Sequence, residues 1–412
     1  MAAQESLRQR IRQGIFDMGH VWLNEMKTLV KDEGVVIFFI IVPLLYPLLY
    51  SWAYNNEVVR EVPVAVIDDS HSSLSREFIR LYDSSPDVKV ARYCNNMEEA
   101  KTLIGHQEVY GYVYLPSDFS TKVNRMEQSR VVVYTSMSFM LYYKAIYQTA
   151  VSVSSSMNAD IQVKVSGQMT DRENELLTAP MTYEEVALFN KPGGYGSFII
   201  PGVLVLILQQ TLLLGIGMAA GTARETNRER ALVPVSTHYH GIFRIVLGKS
   251  ACYTMVYAVL AAYELLVVPR LFNFIHIGNH LTILAVMVPF ILACVFFGMF
   301  LSCIVRYREN IILLIVFTSV PFLFLSGVSW PLSGIPRYWQ GVSWLIPSTF
   351  GIRAFVRINS MGATLKEVQV EYIALWMQVL AYFFLACIVY RGHVSQAQKR
   401  HEESQASAEA AS

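Results

Sequence analysis

Charge is what this sequence has least of. Asp, Glu, Lys and Arg make up 16% of the 412 residues, against about a quarter in a soluble chain. The formal net charge is only +1, so there is no global basic field and nucleic acid is not an expected partner. Cysteine is scarce as well. Cys252, Cys294, Cys303 and Cys387 lie in apolar runs and Cys94 stands alone in the main polar segment, which therefore forms no internal disulfide. Cys-x-x-Cys, His-Glu-x-x-His and Gly-x-Ser-x-Gly are all missing, and His238 and His240, two apart, share no helix face. No metal, cofactor or catalytic group is expected. Leu247-Gly-Lys-Ser250 resembles the end of a phosphate-binding loop, but Phe243 stands where that loop needs glycine. The chain should neither bind nor hydrolyse ATP.

What is present is six long apolar stretches: Val35–Tyr54, Ser197–Gly221, Ala251–Val268, Leu281–Val305, Ile311–Trp330 and Tyr372–Tyr390. Each is close to the ~20 residues a helix needs to cross ~30 Å of hydrocarbon. The fold expected is an α-helical polytopic membrane protein with an α/β domain inserted after the first span. It divides into an interfacial helix at 1–34, span one at 35–54, the inserted domain at 55–196, spans two to six at 197–390, and a tail at 391–412. The first stretch is preceded by 34 mostly polar residues and lacks a small-residue cleavage site, so it should be kept as an anchor.

Basic residues set the orientation. Arg8, Arg10, Arg12, Lys27 and Lys31 precede span one, and Arg224, Arg228, Arg230, Arg244 and Lys249 join spans two and three. Arg306 and Arg308 join spans four and five, and Arg391, Lys399 and Arg400 follow span six. Positive-inside counting places both termini in the cytoplasm of a plasma (inner) membrane protein and the inserted domain outside. Arg337, Arg353, Arg357 and Lys366 after span five run against this count, outweighed by the other loops.

Leu7, Ile11, Ile15, Met18, Trp22, Met26 and Leu29 recur at spacings of three and four, which predicts an amphipathic helix on the inner membrane surface or against cytosolic protein. In the inserted domain, strands are expected at Val62–Ile67, Val88–Arg92, Val109–Leu115 and Arg130–Tyr134. Helices are expected at Ser72–Asp83, Met97–Ile104 and Asp118–Met126. Asp68 and Asp69 end a strand, where carboxylates serve turns and caps. One or two long helices should follow from Ser136 to Thr178, then a hinge at Lys191–Gly196. The tail Glu402–Ser412 has the composition of a disordered segment.

Within the spans Glu264 is the lone acid. Ion-coupled carriers place several ionisable groups near the bilayer midplane, so this class is disfavoured. Gln209, Gln210 and Gln378 are expected to hydrogen-bond between helices. The segment around Trp330, Pro331, Pro336, Trp339 and Pro347, within 331–369, is broken by Pro and Gly and rich in aromatics. It predicts short re-entrant helices at the outer surface. The loop at 222–250 carries the sharpest pattern: Arg224, Glu225, Arg228, Glu229 and Arg230, then an apolar tip of Leu232, Val233, Pro234 and Val235. It reads as a coupling element that docks into another protein.

Several segments in order resemble permease subunits of type-2 ABC exporters with a large outer domain after span one. They are Val64-Ala-Val-Ile-Asp-Asp-Ser with Ser73-Leu-Ser-Arg76; Glu99-Ala with Gly111-Tyr-Val-Tyr-Leu-Pro-Ser-Asp-Phe119; Arg228-Glu-Arg230; and Pro331, Pro336, Trp339 and Pro347. Where that family usually has Gly-Thr after the charged turn, this chain has Ala231-Leu232. The resemblance implies a half-transporter that dimerises with a second permease subunit in the lipid bilayer. A separate cytosolic ABC ATPase would dock at Arg224–Val235, and a periplasmic adaptor of the membrane-fusion type would meet the outer domain. The alternative reading is a membrane-anchored receptor or envelope-assembly protein without transport activity.

Overall fold

The computed structural model describes residues 7–55, 58–166, 170, 172–173, 178, 188–190, 193–227, 231–234, 241–305 and 307–410. The chain divides into two units, one of residues 1–57 with 188–412 and one of residues 58–187.

In the first unit, helix α1 (Leu7–Lys31) precedes six helices long and apolar enough to cross a membrane among the described residues. They are α2 (Glu33–Ala53), α7 (Tyr195–Thr226), α8 (Ile242–Leu271), α9 (His280–Ile304), α10 (Arg308–Leu325) and α13 (Gln369–Ala410). Two of the spans contain a wide π-turn, at Ile37–Ile41 in α2 and at Tyr263–Val267 in α8. Between α10 and α13 lie the short helices α11 (Arg337–Ser343) and α12 (Pro347–Met361).

Helix α7 is the hub and packs on α2, α8, α9, α10 and α12. Almost every residue from Gly196 to Gly221 is buried, and its glycines let neighbours in close. A Cβ at Gly215 would enter the Phe39 ring of α2, and one at Gly217 would enter the Ile311 side chain of α10. Small residues at such crossings are how helices associate in a solvent as apolar as their own side chains.

Several boundaries differ from expectation. Tyr195 and Gly196 belong to α7 rather than to a hinge, and Lys191 lies outside the described residues. Helix α10 stops at Leu325, five residues before Trp330. The tail does not fray at Glu402: α13 runs on to Ala410, because Ala, Glu, Gln and Lys favour helix and nothing after Gly392 breaks it.

The second unit holds four strands, β1 (Val62–Asp68), β2 (Val88–Tyr93), β3 (Gly111–Leu115) and β4 (Val132–Thr135), ordered β2-β1-β3-β4. Strand β1 is parallel to β2 and β3, and β4 closes antiparallel on β3. Alternation along β1 feeds two cores. Val62, Val64 and Val66 face α3 (Ser73–Asp83) and α6 (Met140–Ser166), while Ala65 and Ile67 face α4 (Met97–Gly105); the short α5 (Phe119–Asn124) follows β3. The Tyr82 hydroxyl donates to Ile146 O at 3.2 Å, tying α3 to α6.

The motif residues of this unit are structural. Asp68 accepts Ser70 N and His71 N, each at 3.1 Å, and the Ser75 hydroxyl at 2.8 Å. Asn96 caps Glu99 N at 2.8 Å while the Glu99 carboxylate accepts Asn95 N at 2.9 Å, and Ala100 is fully buried beneath.

Candidate functional site

The buried face of α1 is not the stripe its apolar periodicity indicates. Among the described side chains of α1, Asp17, Val21, Glu25 and Leu29 are the buried ones, one turn apart, whereas Ile15 and Phe16 are each 66% exposed. The apolar reading is off by a small rotation because two of the four buried positions are acids. Together with Asp32, which follows α1, they sit at intervals of eight and seven, about two turns each.

Each acid meets a base from another helix. Asp17 accepts Arg244 Nη1 of α8 at 2.8 Å. Glu25 pairs with Lys249 Nζ of α8 at 2.7 Å, and the Tyr253 hydroxyl donates to the same carboxylate. Asp32 accepts Val35 N at 3.1 Å, capping α2, and takes Arg308 Nη2 of α10 at 3.1 Å and the Thr222 hydroxyl of α7. Burial raises the Asp32 pKa, but Thr222, Val35 N–H and Arg308 outweigh it and hold the carboxyl below the usual aspartate range. The row thus ties α1 to the α1-proximal ends of α2, α7, α8 and α10. Beyond this protein-facing side, Phe16, Leu23 and Val30, seven apart, stay exposed, the apolar flank that a membrane surface would take.

The loop between α7 and α8 is shorter than 222–250, since α7 persists to Thr226 and α8 begins at Ile242. Arg224 lies on α7 and donates to Ser302 O at 2.8 Å and Val305 O at 3.0 Å, satisfying the carbonyls at the end of α9. Glu225 is exposed and 3.7 Å from Arg308 Nη1. Leu232 and Val233 do not form an exposed tip. They are 3% and 5% exposed and belong to the core of their own unit, with Pro234 half-buried. An apolar pair next to a buried ion-pair row gains more from the chain's own helices than from solvent exposure. Arg228, Glu229, Arg230 and Val235 lie outside the described residues, as do His238 and His240. Beside the loop is a cleft of about 570 Å³ lined by Lys27, Lys31, Asp32, Thr226 and Leu232, among others.

At the opposite end of α7, the segment after α10 folds inward. Trp330 follows α10 with its indole beside Gly334; Pro331 precedes a 3₁₀ turn, Leu332–Gly334. Pro336 caps α11, and Trp339 lies on α11 and is half-exposed. Pro347 is the first residue of α12, whose missing N–H needs no partner there. Most of α12 is buried, and its irregular entry is satisfied by side chains of the spans. Gln209 Oε1 accepts Ser348 N at 2.6 Å, Gln378 Nε2 donates to Trp344 O at 2.7 Å, and the Tyr382 hydroxyl donates to Leu345 O. Backbone freed from regular structure inside a membrane is tolerated only when satisfied in this way. Gln209 and Gln378 therefore bond between helices as expected, whereas Gln210 finds no side-chain partner among the described residues. Glu264 is fully buried in the α8 π-turn, and neither carboxylate oxygen has a partner among the described residues.

Residues 34–388 match the family profile described as "ABC-2 family transporter protein". This chain belongs to the ABC-2 transporter family. It is similar to the probable multidrug ABC transporter permease YbhR of Escherichia coli K12, 20% identical over 363 residues covering 86% of this chain and 91% of YbhR. It is also similar to the inner membrane transport permease YadH of the same strain, 28% identical over 203 residues covering 48% of this chain and 76% of YadH. The chain is a multi-pass inner-membrane ABC-2 permease, a transport component whose ATPase lies in a separate subunit.

The ion-pair row of this permease is not evident from its sequence, where Arg244, Lys249 and Arg308 read as orientation signals only. The period of Asp17, Glu25 and Asp32 was the signal available, hidden because charges on an amphipathic helix are read as its solvent face.

Proposed function

We propose that this permease is one half of an ATP-driven exporter, dimerising with a second permease subunit. Both termini and α1 lie in the cytoplasm, and the α/β unit of residues 58–187 is an inserted extracytoplasmic domain able to meet a periplasmic adaptor. The ATPase docks on the α7–α8 turn, with Arg224, Glu225, Arg228, Glu229, Arg230, Leu232, Val233, Pro234 and Val235 as the coupling element. The observation that carries this reading is the convergence of α1, α2, α7, α8 and α10 on the row Asp17, Glu25 and Asp32. A push on a turn anchored there reaches four spans at once. In this reading Leu232 and Val233 serve as the buried root of the turn, Arg224 links it to α9, and charges at its edge set register with the ATPase.

The outer segment of Trp330, Pro331, Pro336, Trp339 and Pro347, which leads through α11 into α12, is the extracytoplasmic end of the pathway. The name of YbhR, a probable multidrug permease, supports drugs as the cargo class.

The test reverses charge in the turn itself. The double variant Arg228→Glu/Arg230→Glu should insert and melt like the parent but lose co-purification with its ATPase and lose export. A double variant that exports normally and still holds the ATPase would make the turn a mere connector.

A further inference from the structure

The apolar stripe of α6 outruns the sheet it packs on. Ile146, Ala150, Val153 and Met157 are buried in the core, but the same face continues through Ile161 and Val165. There it lines a groove of about 680 Å³, opposite the chain from Val123 to Val131, with Phe78 and Phe119 at its floor. The volume lies within the range of about 300–1,000 Å³ typical of small-molecule sites. Two details of the rim fit a ligand. Met126 is 74% exposed and held at φ +60°, a backbone region that side chains other than glycine rarely adopt. The Ser129 hydroxyl lines the groove, buried and without a hydrogen-bond partner among the described residues.

Charge narrows the ligand. Glu127 is the one ionisable side chain among the described residues lining the groove, and no ion pair among the described residues holds it. An anion would meet that carboxylate with no base to offset it, whereas a cation would gain a charge-assisted contact. Phe78, Phe119, Met126 and Met157 offer aromatic and polarisable surface for an apolar ring system. We propose that this groove binds small amphipathic cations, an apolar body against α6 and a positive group at Glu127. Its use as a cargo-capture site rests on the export reading; binding itself does not.

The experiment uses the full chain in nanodiscs without nucleotide or ATPase, so failed coupling leaves it unaffected. Ethidium is the cationic probe and 1-anilinonaphthalene-8-sulfonate the anionic one, both followed by fluorescence anisotropy. Ethidium should bind more tightly than the anion. Glu127→Gln, an exposed position that leaves the fold intact, should weaken ethidium about fivefold or more, as expected for loss of one charge-assisted contact. It should leave the anion unchanged or tighter. Ile161→Asn should weaken both. Ethidium affinities for both variants within about twofold of the parent would overturn the proposal, as would tighter binding of the anion by the parent. Saturable capture of an amphipathic Leu/Lys peptide with no dye binding would also overturn it and give the groove to a protein partner.

Discussion

Lys249 of α8 and Glu25 of α1 face each other at 2.7 Å with their side chains 5% and 8% exposed. Neither ion retains much hydration, so each depends on the other. Removing one partner strands a buried charge at a cost of about 3–5 kcal/mol, whereas removing both together is often close to neutral. Glu25→Met alone should lower the thermal midpoint of the detergent-purified permease sharply, and Glu25→Met/Lys249→Met should recover most of it. A single variant as stable as the parent would mean that the pair does not fasten α1.

Asp32 gives the row a pH dependence with a definite sign. Its folded pKa is depressed, so its contribution is complete above the unfolded value, about 3.9, and is lost as pH falls through the lower folded value. Thermal melts of the parent and of Asp32→Asn should differ most near neutrality and converge below about pH 4. Parallel curves over the whole range would show that Arg308 and Thr222 do not read the charge on Asp32.

Gln209 is placed to test the buried entry of α12. Gln209→Leu leaves Ser348 N–H without an acceptor in a water-free setting, at a cost of about 1–3 kcal/mol. Export should fall more than the abundance of the folded protein, since α12 would lose its seat while the spans remain. Equal export by parent and variant would show that α12 tolerates the loss.

Leu232→Asp is a stability variant rather than a clean test of docking, because Leu232 is buried in its own unit. The variant should lose folded protein on size-exclusion chromatography, the expected result of placing an unpaired carboxylate in a core. A monodisperse Leu232→Asp protein of normal stability would return Leu232 to the surface.

Cys94 separates burial from reactivity. Burial pushes its thiol up, Glu99 adds to the shift and Arg92 opposes it, so the thiolate is scarce near neutral pH. Iodoacetamide should label Cys94 in the urea-unfolded chain and spare it in the native one. Rapid native labelling would place the β2–α4 junction in solvent.

Much of the chain was legible because the signal was local. Val62–Ile67 is an apolar β run ended by carboxylates; Ser72–Asp83 and Met97–Ile104 carry helical patterns; six apolar runs exceed the membrane minimum. What remained hidden depends on partners far away in sequence. Glu25 looks like a solvated charge until Lys249 and Tyr253 stand beside it. Leu232 looks like a docking tip until its own helices cover it. The reach of α13 was hidden for another reason, since composition alone does not distinguish a polar helix from a disordered tail.

That reach has a practical consequence. At ~1.5 Å per residue the 42 residues of α13 measure ~63 Å along the axis, about twice the hydrocarbon thickness. A fluorophore attached at Ala410 would therefore ride on a stiff mast standing clear of the bilayer. Energy transfer between such labels on two copies would report the tilt of span six as a ruler does, with little blurring from a slack tether.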